Sequence, residues 1–232
     1  MCTSKIIIYL TFFLLTLMVG EHSRADAKMK EAHSLYQTQS YLEAIAEARR
    51  VLRRATTAQE RFAAHQLIGR AYYQKALYKQ ALASLRQAHR LAKTLKIPPL
   101  LGSILIDLGN WHERQKNHPV ALHYYQLALD SLESHDDRTL TRRALFQIGD
   151  VYVATARYEL GIKTYQRALR HAREAKEHSA IAEALDYIGF AYRKLGDYDS
   201  ALQHHSEALK EAKSILDSIQ SSTSLARSYN HA

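Results

Sequence analysis

Apolar and small residues recur three and four places apart along most of this chain, and one phrase of that pattern returns every forty residues. The segment "YIGFAYRKLGDYDSALQHHSEAL" at 187–209 echoes "QIGDVYVATARYELGIKTYQRAL", "DLGNWHERQKNHPVALHYYQLAL" and "LIGRAYYQKALYKQALASLRQAH" upstream of it. Gly69, Gly109, Gly149 and Gly189 align, and three residues after them stand Tyr72, His112, Tyr152 and Tyr192. Ala81, Ala121, Gly161 and Ala201 follow, then Ala88, Ala128, Ala168 and Ala208. A degenerate first copy, "KEAHSLYQTQSYLEAIAEARRVL", puts Ala32 in the glycine place and continues with Leu35, Ala44 and Val51.

The three- and four-residue spacing predicts two amphipathic helices in every copy. In the last copy Ile188, Gly189, Tyr192 and Leu195 mark the first helix, and Tyr198, Ala201, Leu202, Ala208 and Leu209 mark the second. Turn formers separate them: Gly196-Asp197 in that copy, Asn117 and Pro119 in the third. Asp197 and Asn117 suit N-caps, because their side-chain oxygens can accept from the free amides of a first turn. Pro119 suits the first turn itself, where an N–H has no intrahelical partner. Small residues at the helix crossing let the two axes approach, and Tyr and Leu fill its flanks. One such hairpin cannot bury its apolar face alone, so the copies are expected to stack.

These motifs resemble the tetratricopeptide repeat, with its W-x2-L-G-x2-Y, A-x3-F and terminal P. The likeness rests on the "IG..Y" phrase, on the alanines, and on Tyr125 and Tyr165 in the F place, where the other copies carry Leu85 and His205. The Trp and terminal Pro are missing, and the period is longer than the usual 34 residues. The extra length predicts about one more turn per helix pair plus a longer connection, such as "KIPPLLG" at 96–102. Gly161 in place of Ala is expected to weaken its helix by about 1 kcal/mol. The resemblance implies an all-α solenoid of stacked antiparallel helix pairs. It would have five repeats near 25–58, 62–95, 102–135, 142–175 and 182–215, and a final helix near 221–231.

The N-terminus departs from the pattern. Lys5 precedes the apolar stretch "IIIYLTFFLLTLMVG" at 6–20, and Ala25-Asp26-Ala27 gives an A-x-A site. That order describes a secretory signal peptide over 1–27, leaving 28–232 as the mature domain. A span of fifteen apolar residues is short for a membrane helix, which needs about 20; an uncleaved anchor is the alternative. Cys2, the single cysteine, lies in this segment, so the mature chain can form no disulfide or thiolate site. The net charge of +9 belongs to the mature domain and biases it toward an acidic partner. The cations are dispersed and no nucleic-acid motif stands out, so no nucleic-acid partner is expected.

Candidate chemistry is sparse. No phosphate loop, nucleophile elbow or metalloprotease motif occurs, and the glycines fall one per repeat, where packing explains them. The closest histidine pairs, His204-His205 and His118 with His123, lack a third ligand at helical spacing, and "ESHDD" at 133–137 suits a helix cap. Neither an enzyme, a cofactor nor a metal site is expected. Binding remains, and the resemblance implies that the first helices line a concave groove. Its contacts would be Gln66, Arg70, Tyr73, Asn110, Glu113, Arg143, Phe146, Asp150, Asp186, Phe190 and Arg193. Asn110 matches one element of the family's clamp for chaperone tails, but Ile106 stands where its Lys should be. The expected function is an exported, non-catalytic scaffold that holds a protein or peptide in a mildly basic groove. The alternative is the extracytoplasmic sensor part of a membrane-bound signalling protein.

Overall fold

Seven short stretches of backbone set the architecture by turning left-handed between helices; at one, Lys96 has φ 54° and its amide reaches the Ala92 carbonyl at 3.0 Å, and the other six share a single pattern. Gln39, Ala76, Lys116, Ala156, Lys176 and Gly196 all have positive φ, between 55° and 91°. In each case the two amides at the turn reach back to the helix just ended. At the fourth repeat Ala156 donates to the Val153 carbonyl at 3.1 Å and Arg157 to the Tyr152 carbonyl at 2.8 Å. The same pair recurs as Ala76 to Tyr73 with Leu77 to Tyr72, and as Gly196 to Arg193 with Asp197 to Tyr192. These are Schellman closures, which satisfy the orphan carbonyls of a helix end. Only the last is signalled by a glycine.

The computed structural model describes residues 27–132, 135 and 137–229, with side chains to residue 216. Residues 1–26, which carry the expected signal segment, lie outside the described residues. The described chain is all-α: α1 (27–37), α2 (Tyr41–Arg54), α3 (Ala58–Gln74), α4 (Tyr78–Leu95), α5 (Pro98–Arg114), α6 (His118–Leu132), α7 (Arg138–Ala154), α8 (Tyr158–Glu174), α9 (His178–Leu195) and α10 (Tyr198–Tyr229). From α3 onward the first helices begin at Ala58, Pro98, Arg138 and His178, and the second helices at Tyr78, His118, Tyr158 and Tyr198.

Two compact units divide within α5, one ending at Asp107 and the other starting at Leu108. In the first unit, α2 packs on α3 and α3 on α4, around Ile45, Val51, Leu67 and Ile68. In the second, α6 packs on α7, α7 on α8, α8 on α9 and α9 on α10. Its core holds Tyr125, Leu129, Leu145, Ile148, Tyr165 and Leu185.

The glycine of each first helix faces the F-place residue of its partner helix. A methyl at Gly69 would come within 2.6 Å of the Leu85 side chain, and one at Gly189 within 2.9 Å of the His205 ring. Methyls at Gly109 and Gly149 would overlap the rings of Tyr125 and Tyr165. Gly161 is also a close approach: its methyl would meet Val153 at 2.8 Å, so glycine there is a packing requirement as well as a helix weakness.

Three expectations change. "KIPPLLG" is no long connection, since α4 ends at Leu95 and α5 begins at Pro98; the extra residues of each copy lie in the helices. No separate helix begins near 221, because α10 runs on to Tyr229. Tyr198, Leu202 and Leu209, expected in the core, are 70–73% exposed. Their counterparts on α8, Ile162 and Leu169, are buried by α9. Asp197 does cap α10, accepting from the Ser200 amide at 3.0 Å, and Asp137 caps α7 through the Leu140 amide at 3.0 Å.

Candidate peptide-binding groove

The eleven candidate residues fall into the two units and behave differently in each. In the first unit Gln66 is buried, and its amide donates to Asp107 Oδ2 at 2.7 Å and Ser103 Oγ at 3.1 Å. Arg70 Nε donates to the same Asp107 oxygen at 2.7 Å. A charged hydrogen bond of that length in a half-buried place is strong. It ties α3 to the middle of α5 and occupies both side chains. Tyr73 meets the edge of Tyr78 at 6.0 Å. This part of the expected groove is thus committed internally.

In the second unit the site is built on the two F-place tyrosines. Their rings lie in the core against the glycines, and their buried hydroxyls reach polar side chains of the first helices. The Tyr125 hydroxyl shares its proton between Asn110 Oδ1 at 2.7 Å and Glu113 Oε2 at 2.8 Å. The Tyr165 hydroxyl donates to Asp150 Oδ1 at 2.6 Å. Both pairs span fifteen residues, so Asn110 and Asp150 hold the same place in successive repeats. Gln147 lies between them, 3.4 Å from the Tyr125 hydroxyl and 3.5 Å from Asp150 Oδ2.

An aromatic cluster adjoins these groups. Phe146, Tyr165 and Tyr187 have ring centroids 5.1–6.0 Å apart. Phe146 is only 7% exposed, so it forms the floor of the cluster, and Tyr187 is its more accessible member. Further along α9, Arg193 and Lys194 lie over the Phe190 ring at 5.1 and 5.4 Å. Asp186 accepts from His205 Nδ1 at 2.7 Å and stays exposed. Arg143 is half-buried on α7.

Carboxylates surround the aromatic cluster, while Arg143, Arg193 and Lys194 lie elsewhere on the same first helices. Asp150 is raised to about 6, first by burial and then by Glu113 and Glu183, despite the Tyr165 hydrogen bond that opposes the shift. Tyr187 is pushed up by burial, and then by Asp150, Glu183 and Asp186. Tyr165 rises for the same first reason, with Asp150 next. Four carboxylates therefore act on one aromatic cluster.

Sequence reasoning found Asn110, Glu113, Phe146 and Asp150 but missed Gln147, Glu183 and Tyr187. It placed Tyr125 and Tyr165 only in the core. The signal for their second role was the fifteen-residue step from Asn110 and Asp150.

Among the described residues no group of three or more His, Cys, Asp or Glu side chains could hold a metal ion. No described helix is long and apolar enough to cross a membrane.

The tetratricopeptide repeat model matches residues 140–214, the stretch that supplies most of this site. That match covers about a third of the chain. No curated protein matches it. Among solved structures it is similar to BtubC (BKLC) from P. vanneervenii, at 15% identity and TM-score 0.69, covering 83% of this chain and 90% of that one. It is also similar to aspartyl phosphate phosphatase F from Bacillus subtilis, at 20% identity and TM-score 0.73, covering 82% of this chain. A Rap protein complexed with Competence and Sporulation Factor matches at 14% identity and TM-score 0.70 over 80% of this chain. The repeat chain spans about half the length of the last two, 51% and 53%. Identities this low show the fold alone, which is that of stacked helix pairs.

Proposed function

We propose that this repeat protein is a non-catalytic, exported scaffold that seats an extended protein or peptide segment on the first-helix face of its second unit. The observation that carries this is the aromatic cluster of Phe146, Tyr165 and Tyr187 with Asp150, Glu113, Glu183 and Asp186 around it. Rigid aromatic surface gives contact area at low entropic cost, and flanking charge sets register and specificity. Carboxylates beside the rings favour a segment with Lys or Arg side chains. The Rap protein, a structural neighbour, is seen in complex with a partner factor, which supports binding as the use of this fold.

Selection of peptides on the purified chain tests the reading. Cationic peptides with an aromatic or aliphatic anchor are expected, and Glu183→Gln with Tyr187→Ala should weaken their capture about tenfold or more. Capture should also weaken as pH falls through about 6, where Asp150 takes up its proton. Selected peptides that bind wild type and variant equally would move the site off this face.

Export rests on the sequence of residues 5–27. The intact mass of the native protein tests it: a soluble species beginning at Lys28 supports a cleaved, exported scaffold. A heavier, membrane-held species supports the sensor alternative.

A further inference from the structure

The second unit carries another charged feature, on its second helices. α8 and α10 both pack on α9 and leave a cleft of about 580 Å³ between them. Lys163, Arg167, Arg170 and Arg173 line it from α8. Leu169 and Ile188, both buried, lie beneath its floor, and His204 closes the α10 side. The four cations are three or four residues apart, so they form one stripe, and like charges at that spacing repel. All four are exposed, and among the described residues none forms an ion pair. Four other cations do form ion pairs: Lys28 and Arg50 with Glu47, Arg70 with Asp107 and Arg142 with Glu177.

The stripe is not copied in the neighbouring repeats. Forty residues upstream, the places of Lys163, Arg167 and Arg170 hold His123, Leu127 and Asp130. Forty downstream they hold Gln203, Glu207 and Lys210. Arg86, Arg90 and Lys93 give α4 exposed cations at similar spacing, so the basic face is shared by α4 and α8 and is absent from α6. His204 adds a group in need of a partner: its ring stacks on Tyr192 at 5.4 Å, and its Nδ1 is buried without a hydrogen bond.

We propose that this cleft is a second binding site, distinct from the groove, and that it takes a short acidic peptide segment. From Lys163 to Arg173 the stripe rises about 15 Å. About five residues of extended chain cover that length, at roughly 3.3 Å each. Alternate side chains of such a segment share one face, so two or three carboxylates meet the guanidinium groups. Arginine suits this role because its planar fork binds a carboxylate through two parallel hydrogen bonds. Glu159 and Glu174 stand near the two ends of α8 and limit the positive track to one short segment. A long polyanion such as nucleic acid would run into them.

The test is fluorescence anisotropy of the purified full chain with a labelled Glu-Leu-Glu-Ile-Glu peptide, at low and at physiological salt. Binding is expected, weaker at higher salt, and reduced about tenfold or more in R167E/R170E. K163Q/R173Q, which trims only the ends of the stripe, should lose a smaller factor, and circular dichroism should report unchanged helicity for both. Glu183→Gln with Tyr187→Ala should leave this binding intact, which separates the cleft from the groove. Equal binding by wild type and R167E/R170E would overturn the proposal, as would no binding at low salt. Displacement by single-stranded DNA or by phosphatidylserine vesicles at lower concentration than by unlabelled peptide would overturn the peptide assignment.

Discussion

Asp150 shows how one residue serves packing and recognition at once. Its carboxylate accepts from the Tyr165 hydroxyl at 2.6 Å while burial and Glu113 and Glu183 raise its pKa to about 6. The native state therefore binds a proton more tightly than the unfolded chain, whose Asp titrates near 3.8. Between these values the folded form holds more protons, so stability falls as pH rises from about 4 to 6. The cost at neutral pH is at most about 3 kcal/mol, at 1.36 kcal/mol per unit. Asp150→Asn keeps an acceptor for Tyr165 and removes the charge. Urea unfolding should find it about 1–3 kcal/mol more stable than wild type at pH 7, with the difference gone by about pH 4. A difference independent of pH would mean that the carboxylate is better solvated than its position implies. A partner's cation at this place would relieve the same cost, which links stability to binding.

At the scale of the helix, the turns carry strain that composition hides. Ala76, Lys116 and Ala156 sit at φ values of 58–59°, in the place where the last pair has Gly196. A side chain with a Cβ pays for that conformation by roughly 1–2 kcal/mol, which glycine avoids. Ala156→Gly should raise the thermal midpoint, a net gain of about 0.5–1 kcal/mol after the extra freedom of glycine in the unfolded chain.

Neighbouring helices also decide what a leucine is worth. Leu169 on α8 is 6% exposed beneath α9, and Leu209, forty residues on, is 71% exposed on α10. Leu169→Ala should cost about 2–4 kcal/mol in chemical denaturation, and Leu209→Ala less than about 0.5. Equal losses would mean that α10 is covered in solution.

At the scale of the whole molecule, net charge misleads about local charge. The net +9 suggested a basic groove, yet in the second unit carboxylates gather around the aromatic cluster, and four cations with no ion pair among the described residues gather on α8. Net charge is a sum, and it carries no direction. Helices with a period of 3.6 residues send neighbours in sequence to different faces. Acidic and basic residues interleaved along the chain thus part company once it is folded.

The sequence alone determined the helix pairs and the small-residue crossings. Both follow from spacing along one helix: Gly149 and Tyr165, sixteen residues apart, meet because two adjacent helices with a tight turn can meet only there. Asp197 as a cap and the need for stacking were equally local. The non-glycine turns were hidden, since Ala156 looks like any helical alanine until its amide is seen to bond Val153. Thr57 and Glu60, a capping box open to view in the sequence, were passed over.

Only the tertiary structure decided which apolar faces are covered, as with Leu169 against Leu209. It alone showed that Gln66 and Arg70 belong to Asp107, and that Glu183 and Tyr187 join Asp150 in one site. These facts depend on contacts between helices some forty residues apart. Periodicity fixes what faces inward on each helix, but the identity of the neighbour, and the field it creates, exists only once the helices are packed.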